Sequence, residues 1–365
     1  MIIDTMLCME YLGMNEEYWQ QAQKALDAIK SDDTARTVAK NSKRLLCTEK
    51  NVSEAELLCR NLTQYARAFL PQHADMALAA LLGACLPAAL QQLSLQGVPD
   101  DVLKDTFRDF SRWAETYQQQ HGVPGIGELP WVLFPYAQRI LKLGRLMYET
   151  VFFPFPYYIL KSNANGDITI LAAEGIRVTA QGLVEHTNSK PEAAVFTTSL
   201  VFGHGQLTGN RVDINDAVIL PQPHTIRLAE HRILLSPGMP ILNMHIPQEG
   251  PLTPDAVNRS MEQAIGFFEK RGFPCETAMC ESWLLDPSLL HFLKDNSNSV
   301  QFMKRFAKFP VCVPQPSAAK RIFGFNFDMK QLQDAPEETG MQKALKAYLL
   351  QGGEIFDVGG ICLLK

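Results

Sequence analysis

The sequence predicts an α+β protein of two domains, helical over residues 1–142 and mixed α/β over residues 143–365. Three observations carry this expectation. A chain of 365 residues, 46% of them hydrophobic, is long for a single core. Its first 140 or so residues repeat apolar side chains at helical spacing, whereas from about Leu143 aromatic and branched residues gather in short runs. The stretch from Met239 to Phe327 then reads as strand, helix, strand, helix pair and strand, the alternation that marks βαβ units.

In the helical part, Ser53 and Glu56 read as a capping-box pair, followed by Leu58, Leu62, Tyr65 and Phe69 at helical spacing. The stretch Ala74–Leu95 is apolar on most sides and predicts a central buried helix that Pro87 ends or kinks. Gln72, His73 and Asp75 at its start, with Pro87 inside, favour burial over a membrane span. From Asp100 the stripe Leu103, Phe107, Phe110, Ala114 and Tyr117 marks another amphipathic helix, stopped by Gly122. GVPGIGELP, residues 122–130, breaks regular structure and reads either as a hinge between domains or as a tight inter-helix loop.

In the second part, GRLMYETVFF and YYILK read as strands, and Asn165-Gly166 between YYILK and DITILAA signals a hairpin. AVFTTSLVF, AVIL and HRILL continue the strands. GHGQLTGN (203–210) follows a strand but opens no helix, so it predicts a hairpin connection rather than a phosphate cradle. MPILNMHIP is the next strand. Thr253 at N-cap and Pro254 at N1 then start a helix that buries Val257, Met261, Ala264 and Phe268. TAMCESWLL is a strand; Asp286-Pro287 and then Asn296 or Ser297 start helical segments, and KRIFGFNF reads as a further strand. A last helix begins near Thr339, buries Met341, Leu345 and Leu349, and ends at Gly352-Gly353, leaving GGICLL as an edge strand.

Composition narrows the function classes. A net charge of -5 argues against a protein that coats nucleic acid or an anionic membrane. The eight cysteines, Cys8, Cys47, Cys59, Cys85, Cys275, Cys280, Cys312 and Cys362, contain no CxxC pair, and Cys275 to Cys280 is the wrong spacing for a zinc knuckle. Scattered thiols and an acidic N-terminus where a secretory signal needs basic residues predict reduced cysteines and a cytoplasmic protein. His73, His121, His186, His204, His224, His231, His245 and His291 show no HxH or HExxH spacing, and no GxSxG occurs, so neither a metal site nor a serine hydrolase is expected. One local excess stands out: Lys304, Arg305, Lys308, Lys320, Arg321 and Lys330 face only Asp328 in their stretch. It reads as a solvated face or as a site for a phosphorylated small ligand.

Together GRLMYE (144–149), HIPQEGPL (245–252), CESWLLDP (280–287), SNSVQF (297–302) and MQKALKAYLLQGG (341–353) resemble a bacterial family of acyltransferase-domain-containing proteins. The resemblance covers nearly the whole chain. It implies a helical N-acyltransferase N-terminal domain followed by a GNAT-like, acyl-CoA N-acyltransferase-like C-terminal domain, with acyl-CoA, for instance acetyl-CoA, as co-substrate. In that superfamily the pyrophosphate sits on a Gln/Arg-x-x-Gly-x-Gly/Ala loop before a helix. Here Pro247-Gln248-Glu249-Gly250-Pro251-Leu252 takes that place with one glycine, two prolines and an acid. The amides at the start of the 254–271 helix remain an anion site on general grounds, which makes Gly250, Thr253 and Asp255 the candidate cofactor contacts.

Candidate chemistry gathers at the strand ends. His245 lies on the same strand face as Ile241 and Asn243, as a general base for an acceptor amine or as a residue closing the strand-to-loop turn. Glu281 and Ser282 point to opposite faces of one strand. Glu281 reads as a base acting through water or a salt-bridged carboxylate, Ser282 as a donor to substrate or departing thiolate or a core serine. Asn296, Ser297 and Asn298 cap a helix or turn their amides to the cleft, Asn298 being the further cofactor candidate. The superfamily's usual acidic tyrosine is missing from PSLLHFLKDNSNSVQF, where His291 is the only substitute. Arg145 and Glu149, at i and i+4 of a strand, pair structurally or reach a polar ligand. The expectation is an acyltransferase that moves an acyl group to an amine or hydroxyl of a small molecule or peptide. The alternative is a non-catalytic module of the same fold that binds or regulates; either form can be an oligomer.

Overall fold

The computed structural model describes residues 1–185, 194–273, 275–311, 317–324 and 326–364; His186 and Cys312 lie outside them. The chain divides into two compact units, Met1–Glu149 and Thr150–Lys365.

The first unit is helical: α1 (Thr5–Leu12), α2 (Glu16–Ser31), α3 (Asp33–Arg44), α4 (Val52–Phe69), α5 (Ala77–Leu95), α6 (Asp100–Phe107) and α7 (Asp109–His121), then the strands β1 (Ile140–Leu143) and β2 (Leu146–Phe152), paired as an antiparallel hairpin. Asp4, Asn15, Asp32 and Asn51 cap α1 to α4, each accepting the backbone N–H three residues on. The cap of α4 is therefore Asn51 rather than Ser53. A left-handed turn at Lys50 (φ +56°) delivers Asn51 to that position, and Ser53 falls inside the first turn. The buried face moves with it to Val52, Ala55, Cys59, Leu62 and Ala66, leaving Phe69 65% exposed. The expected stripe lay a quarter turn from the true one because its large residues outweighed the small ones.

Helix α5 is the buried centre of this unit. By length and apolar composition it could cross a membrane, yet 13 of its residues, from Ala77 to Leu93, are buried within the protein. Pro87 neither ends nor divides it. A proline leaves the carbonyl four residues back without its helix donor, and the Cys8 thiol donates to that carbonyl, Gly83 O, at 3.7 Å. Gly83 also lets helix α5 approach the Trp19 ring, which an added Cβ would meet at 2.9 Å. The stripe from Leu103 to Tyr117 is buried as expected, though Arg108 divides it into α6 and α7 and Gly122 closes α7 in the left-handed conformation.

The second unit holds β3 (Tyr157–Ser162), β4 (Ile168–Ala172), β5 (Arg177–Val178), β6 (Phe196–Thr197), β7 (Leu200–Gly203), β8 (Gln206–Asp213), β9 (Val218–Arg227), β10 (His231–Leu235) and β11 (Pro240–His245), then α8 (Pro254–Glu269), β12 (Thr277–Ser282), α9 (Asn298–Met303), β13 (Ala307–Pro310), α10 (Ala318–Phe323), α11 (Gly340–Leu350) and β14 (Val358–Leu363). One antiparallel sheet runs β10-β3-β4-β8-β7, with β9 also on β8. Asn165-Gly166 turns the β3–β4 hairpin, and His204-Gly205, both at positive φ, turns β7 into β8. A second sheet carries the order β11-β12-β14-β13, with β11 and β12 parallel and β14 antiparallel to both neighbours.

Ile159, Ile170 and Val212 from the first sheet and Ile241, Met279, Phe309 and Ile361 from the second share one core. Trp283, Leu289, Val300, Met303, Ala318, Leu345 and Ile355 form another, and Leu285 and Phe306 lie against Gly360, on the face of β14 opposite Ile361. Strand β14 is thus covered on both faces, as expected in a sheet whose strands are linked by helices.

Four expectations change here. KRIFGFNF is not a strand: Ala318 and Ala319 bury a short helix, α10, that Gly324 ends at φ +114°. The real strand is AKFP, β13, too short and too polar to announce itself, with Lys308 buried near Asp213 and Asp216. GGICLL is interior rather than an edge. Its glycines admit neighbours onto the strand: a Cβ on Gly359 would meet the Phe309 ring at 2.2 Å, and one on Gly360 would meet Leu285 and Phe306 at 2.9 Å. TAMCESWLL also ends earlier as a strand, at Ser282, where a 3-10 turn over Trp283–Leu285 begins; Asp286-Pro287 opens another 3-10 turn rather than an α-helix.

Candidate active site

Strand polarity brings one edge of the second sheet together. The C-terminal ends of β11, β12 and β13 and the start of β14 lie side by side, because Ser282 and Pro310 both pair with Val358. Between β11 and β12 the ladder runs through Leu242–Ala278 and Asn243–Met279. Beyond it, among the described residues, the strands run on to His245 and Ser282 without a ladder between them. Ligands of open α/β sheets sit at such carboxyl ends.

Alternation decides which side chains share this edge. Ile241 and Met279 face the core between the sheets, so Asn243, His245 and Glu281 take the same side. Glu281 pairs with Gly359, and Asp357, immediately before β14, adds its charge beside Glu281. The Asn243 side-chain amide lies 3.1 Å from His245 Nε2. Donation by the amide N–H2 leaves Nε2 as the lone-pair nitrogen and places the ring proton on Nδ1. Ser317 Oγ donates to Asp357 Oδ1 at 2.6 Å and fixes that carboxylate.

The Glu281 side chain is open to solvent, but its surroundings still withdraw water and raise its pKa above the usual carboxylate range. The nearby charge of Asp357 adds to the rise, and His245 opposes it. In the turn after β12, Asp286 is buried, and burial raises its carboxyl in the same direction, opposed by the N–H groups of Phe356 and Ser288. Those two donors, at 2.6 Å and 2.8 Å, tie the segment before β14 to the turn after β12. Asp286 therefore holds Asp357 in place without facing the site itself.

The other sequence-based candidates divide. Ser282 turns to the opposite face, as its neighbour Glu281 requires, and its Oγ accepts from Leu284 N at 3.2 Å as cap of the 3-10 turn. Thr253 caps α8, accepting from Ala256 N at 3.3 Å, with Pro254 behind it and Asp255 exposed in the first turn. Gly250 is exposed, with open space where a Cβ would stand. Ser297 is the cap of α9, so Asn298 is its first residue rather than its cap. His291 stacks on Tyr348 of α11, ring centroids 6.2 Å apart, a tyrosine that a search of the 287–302 segment misses.

Of the basic group, Lys304 pairs with Asp295, and Arg305 donates to Asn258 Oδ1 at 2.7 Å and to Pro254 O at 3.5 Å, against the first turn of α8. Arg305 thus brings positive charge to the helix start where the 247–252 loop offers little. Glu149 pairs with Arg139. Among the described residues no His, Cys, Asp and Glu cluster has the makings of a metal site.

Asp357 is the site residue that sequence reading missed. It carries no motif and reaches Glu281 only through the β12–β14 register, 76 residues apart in the chain.

Comparison with known proteins bears on the family and the fold. Residues 4–136 match the N-acyltransferase N-terminal domain, and residues 140–362 match the GNAT-like C-terminal domain. Among solved structures, an acyltransferase in complex with CoA and 10C-teicoplanin is similar over 100% of both chains, with a TM-score of 0.53 at 16% identity. An acyltransferase in complex with decanoyl-CoA and teicoplanin is similar over 80% of this chain and 68% of its own, with a TM-score of 0.52 at 18% identity. A mutant acyltransferase in complex with octanoyl-CoA has a TM-score of 0.52 at 17% identity over 100% of both chains. At these identities the likeness is one of fold. No curated protein gives a significant match. With one family model spanning most of the chain and a second spanning its helical part, the chain belongs to the family of N-acyltransferases that join an N-acyltransferase N-terminal domain to a GNAT-like C-terminal domain.

Proposed function

We propose that this protein transfers an acyl group from acyl-CoA to an amine or hydroxyl of a small molecule or peptide, at the edge where β11 and β12 end. The observation that carries the reading is the shared face of Asn243, His245 and Glu281, with the charge of Asp357 near it, beside the end of the β11–β12 ladder. An amine acceptor attacks the thioester carbonyl; a C–N bond forms and the C–S bond breaks. His245 takes the proton that the attacking nitrogen gives up, and Asn243 holds the ring through both states, its N–H2 donating to the neutral ring and its oxygen accepting from the charged one. Glu281, whose carboxyl keeps its proton to higher pH than an ordinary glutamate, delivers a proton to the departing CoA thiolate. Transfer from His245 to Glu281 then restores both. Ser282, on the opposite face, has no part in these steps. Neighbours of the same fold hold CoA, octanoyl-CoA or decanoyl-CoA, which supports acyl-CoA as donor and makes medium-length chains the first to try.

The test is thiol release from acetyl-, octanoyl- and decanoyl-CoA with a primary amine. The reading expects turnover that His245→Ala and Glu281→Gln each reduce by about 10²-fold or more, the range of general acid–base contributions. Turnover unaffected by both substitutions would refute these roles.

One feature favours a second reading, a module that binds acyl-CoA without turning it over. Pro247, Pro251 and Pro254 remove three N–H groups from the approach to α8, and Asp255 places a carboxylate in its first turn. Saturable CoA binding with no thiol release from any acyl length would establish that reading instead.

A further inference from the structure

The helical unit contains its own cavity, of about 330 Å³, apart from any residue assigned to acyl transfer. One wall is a polar stripe of α4: Arg60, Thr63, Gln64 and Arg67 sit at i, i+3, i+4 and i+7, one face of the helix, beside the face that buries Cys59, Leu62 and Ala66. Arg60 and Arg67 leave the helix two turns apart, about 10 Å along the axis, and Arg60 is paired with Glu56 at 2.6 Å. The facing wall carries Asp75, Tyr117 and Glu128, with Ala74, Leu78 and Ile126 between them. One wall is cationic and the other acidic.

This cavity is built rather than incidental. The Tyr117 hydroxyl donates to Asp75 Oδ1 at 2.7 Å, and its burial and that carboxylate raise the tyrosine's pKa, with Arg67 opposing from the other wall. Gly125 and Gly127 fit under the Tyr117 ring, where a Cβ on Gly125 would come within 2.4 Å of it and 2.8 Å of Asp75 O. Tyr18 Oη pins the same loop by donating to Gly125 O at 3.0 Å. Beyond it the chain holds Glu128 in the left-handed region at φ +58°, a conformation that a non-glycine residue keeps only where the surroundings impose it. The glycines of the 122–130 segment thus shape a floor, and the strained residue places a carboxylate at its rim.

We propose that this cavity binds a small zwitterion, an amino acid or short peptide with free termini. Its carboxylate lies against Arg67, whose planar guanidinium suits a carboxylate, with Arg60 further along the same wall. Its ammonium lies against Asp75 and Glu128. A simple anion would meet the acidic wall, and a simple cation the arginines. The volume is at the lower end of ligand pockets and holds on the order of ten non-hydrogen atoms at about 30 Å³ each.

The experiment uses the full chain and follows thermal unfolding with each of the twenty free amino acids and with triglycine, at about 10 mM, a concentration that stabilises measurably whenever Kd is millimolar or tighter. The expected result is a stabilising shift by at least one of them, weakened tenfold or more when its amine is acetylated or its carboxylate amidated. The shift should be lost in the Arg60→Ala/Arg67→Ala double variant and in Glu128→Gln, and retained in His245→Ala. Far-UV circular dichroism checks that the variants fold; Glu128→Gln, a neutral isostere at a half-exposed position, keeps the test available if the double variant does not. No shift from any of the probes, equal binding of the blocked forms, or a shift that survives both sets of variants would overturn the proposal.

Discussion

Asp286 offers the sharpest test of how the fold supports the strand-end site. Its carboxylate is buried, 3% exposed, and accepts two backbone N–H bonds, from Ser288 at 2.8 Å and from Phe356 at 2.6 Å. A hydrogen bond to a charged group contributes about 1.5–3 kcal/mol, so two give an upper figure of about 3–6 kcal/mol. Phe356 is itself 37% exposed, so water can replace part of its bond, and the desolvation of the buried carboxyl offsets a further part. Asp286→Ala should therefore cost about 2–4 kcal/mol, which for a unit of this size lowers its melting temperature by roughly 4–16 °C. Asp286→Asn keeps one acceptor oxygen and should lose about half as much.

Burial raises the carboxyl's pKa, so the folded state binds the proton more tightly than the unfolded chain. Wild-type stability from this group is then greatest below the unfolded pKa and falls as pH rises through the folded one, a slope that Asn removes. Urea unfolding of the second unit, followed from pH 4 to pH 8 (roughly the range of carboxylate titration), reads all three effects. Equal losses for Ala and Asn, or no loss in either, would refute the role given to Asp286 as the tie between the β12 turn and the segment carrying Asp357.

The remaining predictions follow the same reasoning. Gly359→Ala drives a Cβ into the Phe309 ring and should destabilise by about 1–3 kcal/mol in urea unfolding, whereas Gly250→Ala, facing open space, should stay within about 0.5 kcal/mol. Gly83→Ala meets Trp19 in the centre of the helical unit and should cost about as much as Gly359→Ala, visible as a lower unfolding midpoint of that unit. Asp357→Asn removes a charge that raises the Glu281 carboxyl, so the pH at which Glu281 loses its proton should fall; the limb of the pH–activity profile that this proton controls should move to lower pH, and an unmoved limb would exclude the pairing. Thr253→Ala, removing the cap of α8, should cost about 1 kcal/mol by thermal unfolding.

Much of this fold is legible from short-range chemistry. The caps at Thr253 and Thr339, the hairpin at Asn165-Gly166 and the stripe from Leu103 to Tyr117 each depend on residues within one or two turns of chain. What escapes such reading depends on distant partners. AKFP becomes β13 because β14 offers it an edge, and VGGICL lies inside the sheet because its glycines admit Phe309 and Phe306. Neither fact is written in its own segment. The candidate site divides the same way. His245 and Glu281 could be named from the ends of apolar runs, and the opposed direction of Ser282 follows from strand alternation. Asp357 could not, since only the register of β12 against β14 brings it to Glu281. The Ala74–Leu95 stretch shows the converse: its burial was legible because helices that are apolar all round sit in cores or membranes, while Pro87 misled because Cys8 satisfies the carbonyl that a proline leaves open.

The strand-end site itself is tested most directly by a crystal structure with an unreactive thioether analogue of decanoyl-CoA. The account predicts the sulfur and the carbonyl position beside the end of β11, within hydrogen-bond reach of His245 or Glu281, with the pyrophosphate near Arg305 and the first turn of α8. A saturating analogue bound elsewhere, or an edge left vacant while the analogue binds another surface, would contradict it.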